Sequence, residues 1–167
     1  MAMSGLPHKS VRLRFRNPKY ERIVRLNTES IARKMGFSED DVFDLTLAVE
    51  EAYTNAIEHS AHPLASLEVE VAFYLFTDRL EVIIQDSGCG FVEEKLPSPT
   101  PLGLEDDPGL SHRGRGLELI RSLSDHSEIL SAPGMGTLIK IRKFLRRESE
   151  DGPKGISPTM PGNLAPP

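Results

Sequence analysis

Prolines decide where this chain can hold regular structure. Of its 13 prolines, Pro153, Pro158, Pro161, Pro166 and Pro167 crowd the C-terminal tail, and Pro97, Pro99, Pro101 and Pro108 crowd an internal stretch. Proline fixes φ and removes a backbone donor, so neither stretch suits a helix interior or a central strand. The tail 148–167 adds Gly152, Gly155 and Gly162 with almost no large apolar side chain. It buries too little to offset its ordering entropy and is expected to be disordered. The stretch 92–113 is unusually long for a loop inside a compact domain and reads as a lid or binding loop. One folded unit, residues 9–147, is left between a flexible N-terminus (1–8) and the tail, without internal repeats. A chain of 167 residues has little room for a second domain.

Periodicity fills in that unit. Ser10–Arg16 alternates Val11, Leu13 and Phe15 with Arg12, Arg14 and Arg16, a half-buried strand. Pro18–Gly36 carries Ile23, Leu26, Ile31 and Met35 near helical spacing and stops at glycine. Ser38 with Asp41 forms an approximate capping box for a second helix running to about His59, with Val42, Leu45, Val49, Ala52 and Ala56 on one face. Leu67–Phe76 and Arg79–Asp86 read as a hairpin turning at Thr77-Asp78. Gly116–Leu123 reads as a short helix, and Ser127–Ser131 with Gly136–Phe144 as a second hairpin turning at Ala132-Pro133-Gly134. Hairpins with helices grouped between them predict an α+β two-layer sandwich, not a doubly wound parallel sheet. The cationic run Lys140, Arg142, Lys143, Arg146, Arg147 reads as a solvated face.

Composition excludes several function classes. Twenty basic residues against 25 acidic ones leave a net charge of −5, and there is no tryptophan. That is no electrostatic footprint for direct nucleic-acid binding. No apolar run is long enough to cross a membrane, and the N-terminus lacks the basic-then-apolar order of an export signal. The single cysteine, Cys89, fits a reducing cytoplasm, where we expect the protein to act.

Four local patterns could carry chemistry. Glu51 and Asn55 stand four apart in the long helix and project from one face, whereas Glu50 points about 100° away. Alone, such a pair is more often surface polarity. The apolar strand ends as Ile84-Gln85-Asp86-Ser87-Gly88-Cys89-Gly90, where glycines admit close backbone approach and Asp86 can accept from an amine. Alone, this is an ordinary turn. Gly114-Arg115-Gly116-Leu117 opens a helix, where backbone N–H groups suit an anion, or serves as a hinge for the long loop. Gly134-Met135-Gly136-Thr137, by itself a hairpin turn, leads into the last strand. Cys89 reads as structural, His59, one turn beyond Asn55, as a helix-end histidine favourably placed by the dipole, and His62, His112 and His126 show no metal-ligand spacing.

In that order the four patterns closely resemble the GHKL ATPases, over roughly Ser10–Phe144. The resemblance implies the histidine-kinase-like (Bergerat) fold, a mostly antiparallel mixed sheet covered by helices on one face. The chain is short for the gyrase and chaperone branches, and no upstream phospho-accepting histidine helix is seen. Ala48-Val49-Glu50-Glu51-Ala52-Tyr53-Thr54-Asn55-Ala56-Ile57-Glu58-His59 and Gly114-Arg115-Gly116-Leu117-Glu118-Leu119-Ile120 are similar to segments of the anti-sigma-factor serine kinases. That likeness implies ATP and Mg²⁺ as cofactors, a sigma factor and an antagonist protein as partners, and a homodimer. It implies Glu51 as general base and Asn55 as Mg²⁺ ligand. Asp86 would contact the adenine amine with Thr137 supporting through a water, Gly88 and Gly90 would admit the base, and Gly114 and Gly116 would line the phosphates. Arg113 and Arg115 would add charge there. The rival expectation is a nucleotide-gated binding module of the same fold that transfers no phosphate.

Overall fold

The computed structural model describes residues 5–58, 68–90 and 113–146. Strand β1 (Lys9–Phe15) leads through a 3-10 turn (Pro18–Tyr20) into helices α1 (Glu21–Met35) and α2 (Glu39–Glu58). Strands β2 (Val69–Leu75) and β3 (Arg79–Asp86), helix α3 (Arg113–Leu123), and strands β4 (His126–Ser131) and β5 (Thr137–Phe144) follow. The strands make one five-stranded sheet in the order β1-β2-β3-β5-β4. Helix α2 packs on β2, β3 and β5 and has α1 and α3 as helix neighbours. The expected α+β two-layer sandwich is what forms. The proposed lid and tail lie outside the described residues.

The local signals act as their chemistry demands. Gly36 takes φ +92° and caps α1, its N–H reaching Arg33 O at 3.0 Å while Phe37 N–H reaches Ala32 O at 3.2 Å. Ser38 Oγ accepts from Asp41 N–H at 3.1 Å and donates to Asp41 Oδ2 at 2.8 Å, a local variant of the capping box. Phe76 N–H donates to Arg79 O at 3.0 Å around the Thr77-Asp78 turn. Alternate residues then build the core, where Phe15, Val71, Phe73, Val82, Ile84 and Ile141 of the sheet meet Val24, Leu45, Val49 and Ile120 of the helices.

Two expectations need correction. Every strand pair is antiparallel, so the sheet has no mixed component among the described strands. Two helices rather than one separate β1 from β2, so the chain reverses direction three times and β2 returns antiparallel to β1. The strand β4, entered after a single helix, runs parallel to β3 but is kept from it by β5.

The cationic run is not one solvated face. Lys140 and Arg142 lie on the open side of the sheet and converge on Glu81, with Arg142 Nε 2.9 Å from Oε1 and Lys140 Nζ 3.3 Å from Oε2. Arg79 Nε adds a contact of 2.8 Å to Oε1. Burial pushes the Glu81 carboxyl up, but the Arg79 hydrogen bond and the neighbouring Lys140 and Arg142 outweigh it and hold it below the ordinary range. Lys143 belongs to the opposite face, in step with Thr137, Ile139 and Ile141, and is buried. Its Nζ lies 3.3 Å from Asp41 Oδ1 and 3.1 Å from Asp44 Oδ2, and donates to Leu123 O at 3.0 Å. One ammonium group thereby joins the start of α2, the end of α3 and β5. Replacing it strands the buried Asp41 carboxylate, so Lys143→Met is expected to cost about 3 kcal/mol in urea unfolding. An unchanged midpoint would show that the cluster adds nothing.

Candidate active site

Helix α2 supplies the first pair. Asn55 is buried, Glu51 is half-buried one turn before it, and Asn55 Nδ2 donates to Glu51 Oε1 at 3.2 Å. Glu50 turns elsewhere, accepting from Arg25 Nη1 at 3.2 Å. The helical offset thus separates two adjacent carboxylates by task. Tyr53 is no alternative acid or base: it packs edge-on to Phe15 at 5.6 Å. Burial, with a smaller push from Glu21, raises its phenol to about 12.

Helix α3 brings the second element. It begins at Arg113, earlier than the expected Gly116, because glycine's poor helix propensity hides a first turn held by its packing. Gly114 and Gly116 are therefore inside that first turn, where backbone N–H groups lack intrahelical partners. Gly116 is buried against α2: a Cβ there would run into Glu51 Oε1 and stand 3.0 Å from Asn55 Nδ2. Glycine lets α3 start on top of the Glu51–Asn55 pair without displacing the Glu51 carboxylate. Gly116→Ala is expected to destabilise the fold by about 1–3 kcal/mol, the usual cost of overpacking. Most of that loss should be recovered in the Glu51→Ala background, since the colliding oxygen is then gone. Additive losses in chemical denaturation would show that the two residues do not meet. Arg113 and Arg115 share this turn, but their side chains lie outside the described residues.

The third element joins Asp86, at the end of β3, to Thr137, at the start of β5. Gln85 pairs with Leu138, so Asp86 and Thr137 stand opposite one another at the next step, on the helix-covered face with Ile84 and Ile139. Both are buried, and Asp86 Oδ1 accepts from Gly88 N–H at 2.7 Å. The β4–β5 turn clamps this strand end, with Gly134 N–H donating to Cys89 O at 2.7 Å. Gly90 and Gly136 take φ +62° and +75°. A Cβ on Gly90 would meet backbone of Ala132 and stand 2.9 Å from Gly136 O; one on Gly136 would stand 3.0 Å from Asp86 C. Protein backbone already occupies the space beside these glycines.

Cys89 is exposed. His126 is exposed and bonds Glu128 at 3.2 Å, while His59, His62 and His112 lie outside the described residues. Among the described residues no group of three or more His, Cys, Asp or Glu gathers to hold a metal, and no helix is long and apolar enough to cross a membrane. Ser131, which bonds both Gly136 O and Thr137 Oγ1, adjoins this strand end and is not marked by the sequence motifs. Its position opposite Thr137 in a hairpin was the available signal.

This arrangement has known counterparts. The model of the histidine kinase-like ATPase domain matches residues 16–143. The chain belongs to that family. Within it, the ATPase domain is 40% identical over 136 residues to the serine-protein kinase RsbW of Bacillus licheniformis, covering 80% of this chain and 84% of the relative. It is 36% identical over 138 residues to the serine-protein kinase RsbW of Bacillus subtilis, with 80% and 84% covered. Among solved structures, the RsbU and RsbW domains of a Mycobacterium tuberculosis protein match with a TM-score of 0.59 at 19% identity. That match covers 84% of this chain and 34% of the other, and it speaks for the fold.

Proposed function

We propose that this chain is an ATP-dependent serine protein kinase of the anti-sigma-factor type, which binds a sigma factor and phosphorylates a serine of an antagonist protein. The observation that carries the chemistry is the Glu51–Asn55 pair, hydrogen-bonded at 3.2 Å with the glycine-bearing start of α3 packed on it. The identity of 36–40% to serine-protein kinases over most of the chain supports the same reaction class.

Asn55 suits Mg²⁺. Its Nδ2 is committed to Glu51, so its amide oxygen, a hard donor of the kind Mg²⁺ prefers, points the other way. A single protein ligand is enough when phosphates and waters complete the shell. Mg²⁺, when bound, neutralises charge on the phosphates. The residues of the chain do the rest. Backbone N–H groups at Gly114 and Gly116 hold phosphate oxygens, and Arg113 and Arg115 add positive charge. Asp86 takes the adenine amine beside Thr137, with Gly88 giving the base room, while Gly90 packs against the backbone of Ala132 and Gly136. Glu51, oriented by Asn55, accepts the proton of the attacking serine hydroxyl while its oxygen bonds the γ-phosphorus and the bond to the β-phosphate oxygen breaks, releasing ADP.

We also propose a homodimer acting in the cytoplasm. The outer strand β1, the 3-10 turn and helix α1 leave Val11, Tyr20, Ile23 and Leu26 exposed, apolar side chains suited to a second copy. Sedimentation equilibrium of the purified chain would read it, a monomer at all concentrations counting against. The kinase itself is tested with γ-labelled ATP and candidate antagonist domains. Label on one serine of an antagonist, lost when that serine is replaced by alanine, is the expected result. Nucleotide-dependent partner binding without label on any antagonist would instead identify a binding module.

A further inference from the structure

Resting on that nucleotide reading, we propose that Ser131 is a positioning residue that fixes the Thr137 hydroxyl as a hydrogen-bond acceptor toward the base. The site thereby selects 6-amino purines over 6-oxo purines. Ser131 and Thr137 face each other across the β4–β5 ladder. Ser131 Oγ donates to Gly136 O at 3.1 Å and lies 3.0 Å from Thr137 Oγ1. A serine hydroxyl has one proton. With that proton on Gly136 O, the contact to Thr137 is a hydrogen bond only when Thr137 donates. The opposite polarity would set the Ser131 lone pairs against the Gly136 carbonyl, leaving two acceptors face to face. The chain therefore runs one way, from Thr137 to Ser131 to Gly136, and a hydroxyl that donates becomes a better acceptor.

The anchor of this chain is stiff. Gly136 holds φ +75°, and its position against Asp86 and Ser87 is so close that a Cβ would stand 3.2 Å from Ser87 Cα. The acceptor for Ser131 therefore stays in place. Thr137, only 9% exposed, offers lone pairs and no proton. Beside it stands the carboxylate of Asp86, itself an acceptor. Such a surface welcomes donors. A 6-amino group brings two N–H bonds, whereas a 6-oxo group brings another acceptor.

ATP and inosine triphosphate, which differ at this edge of the base, separate the possibilities. Competition against a fluorescent nucleotide would measure both affinities for the wild-type chain, Ser131→Ala and Ser131→Thr. The wild type should favour ATP. Ser131→Ala frees the Thr137 proton, so the preference should fall by about fivefold to tenfold, mainly through tighter inosine triphosphate binding. Ser131→Thr, which keeps the hydroxyl, should restore most of it. A purely structural role would weaken both nucleotides alike and leave their ratio unchanged, which would overturn the proposal. Thr137→Val, which removes the acceptor itself, should lower the ratio at least as far and decides the matter where Ser131→Ala does not fold. A wild-type chain that binds both nucleotides equally overturns the inference alone. One that binds neither overturns the nucleotide reading with it.

Discussion

Glu51→Gln is expected to slow phosphoryl transfer to the antagonist serine by about 100-fold or more, the lower end for losing acid–base assistance. Glutamine keeps an oxygen to accept from Asn55 Nδ2, so the hydrogen bond at 3.2 Å and the packing of Gly116 survive while the proton acceptor is lost. ATP affinity should therefore stay within about threefold of wild type, since nothing that binds the nucleotide is removed. Glu50→Ala is the internal control. Its carboxylate is bound by Arg25 and faces away from the proposed phosphates, so its effect on turnover should be small. Single-turnover transfer from γ-labelled ATP reads all three proteins. Equal, small losses in Glu51→Gln and Glu50→Ala would end the case for a general base at this position.

Asn55→Ala is expected to reverse that pattern, with binding lost before chemistry can be read. If its amide oxygen is the protein's ligand to the metal, calorimetry should find Mg-dependent ATP affinity reduced by about 100-fold, roughly 2.7 kcal/mol. The gain in affinity on adding Mg²⁺ over a chelator should nearly vanish. Asn55 is buried and bonded only along its own helix in the described contacts, so the variant should remain folded, which a thermal melt would verify. Wild-type Mg-ATP affinity in the folded variant would be incompatible with the assignment.

The sequence patterns that foretold the fold were local ones. Alternation marked β1, Gly36 ended α1, Ser38 and Asp41 started α2, and Thr77-Asp78 turned the first hairpin, each because the deciding chemistry lies within a few residues. The offset that sends Glu51 to Asn55 and Glu50 to Arg25 was legible for the same reason. What escaped depended on distant partners. The inward turn of Lys143 follows from the period of two shared with Ile139 and Ile141, but its charge argued for solvent until Asp41 and Asp44 supplied counter-charges from another element. The early start of α3 was hidden because glycines read as loop, and only the tertiary contact with Glu51 explains a helical glycine at 116. Ser131 looked like any strand serine until the hairpin set it opposite Thr137.

The neighbouring places of Asp86 and Thr137 bear on how such a domain can diversify. The chain leaves β3 at Asp86 and, after α3 and β4, enters β5 at Thr137, one register step beyond the Gln85–Leu138 pair. Everything between them is a closed excursion with both ends moored side by side. Lengthening it costs only about 0.6 kcal/mol for each doubling of a flexible segment, and neither moored residue has to move. Lineages sharing this sheet are thus free to rewrite the stretch around residues 91–112 while Asp86 and Thr137 stay put. Grafting a new segment there is the corresponding opportunity for an engineer.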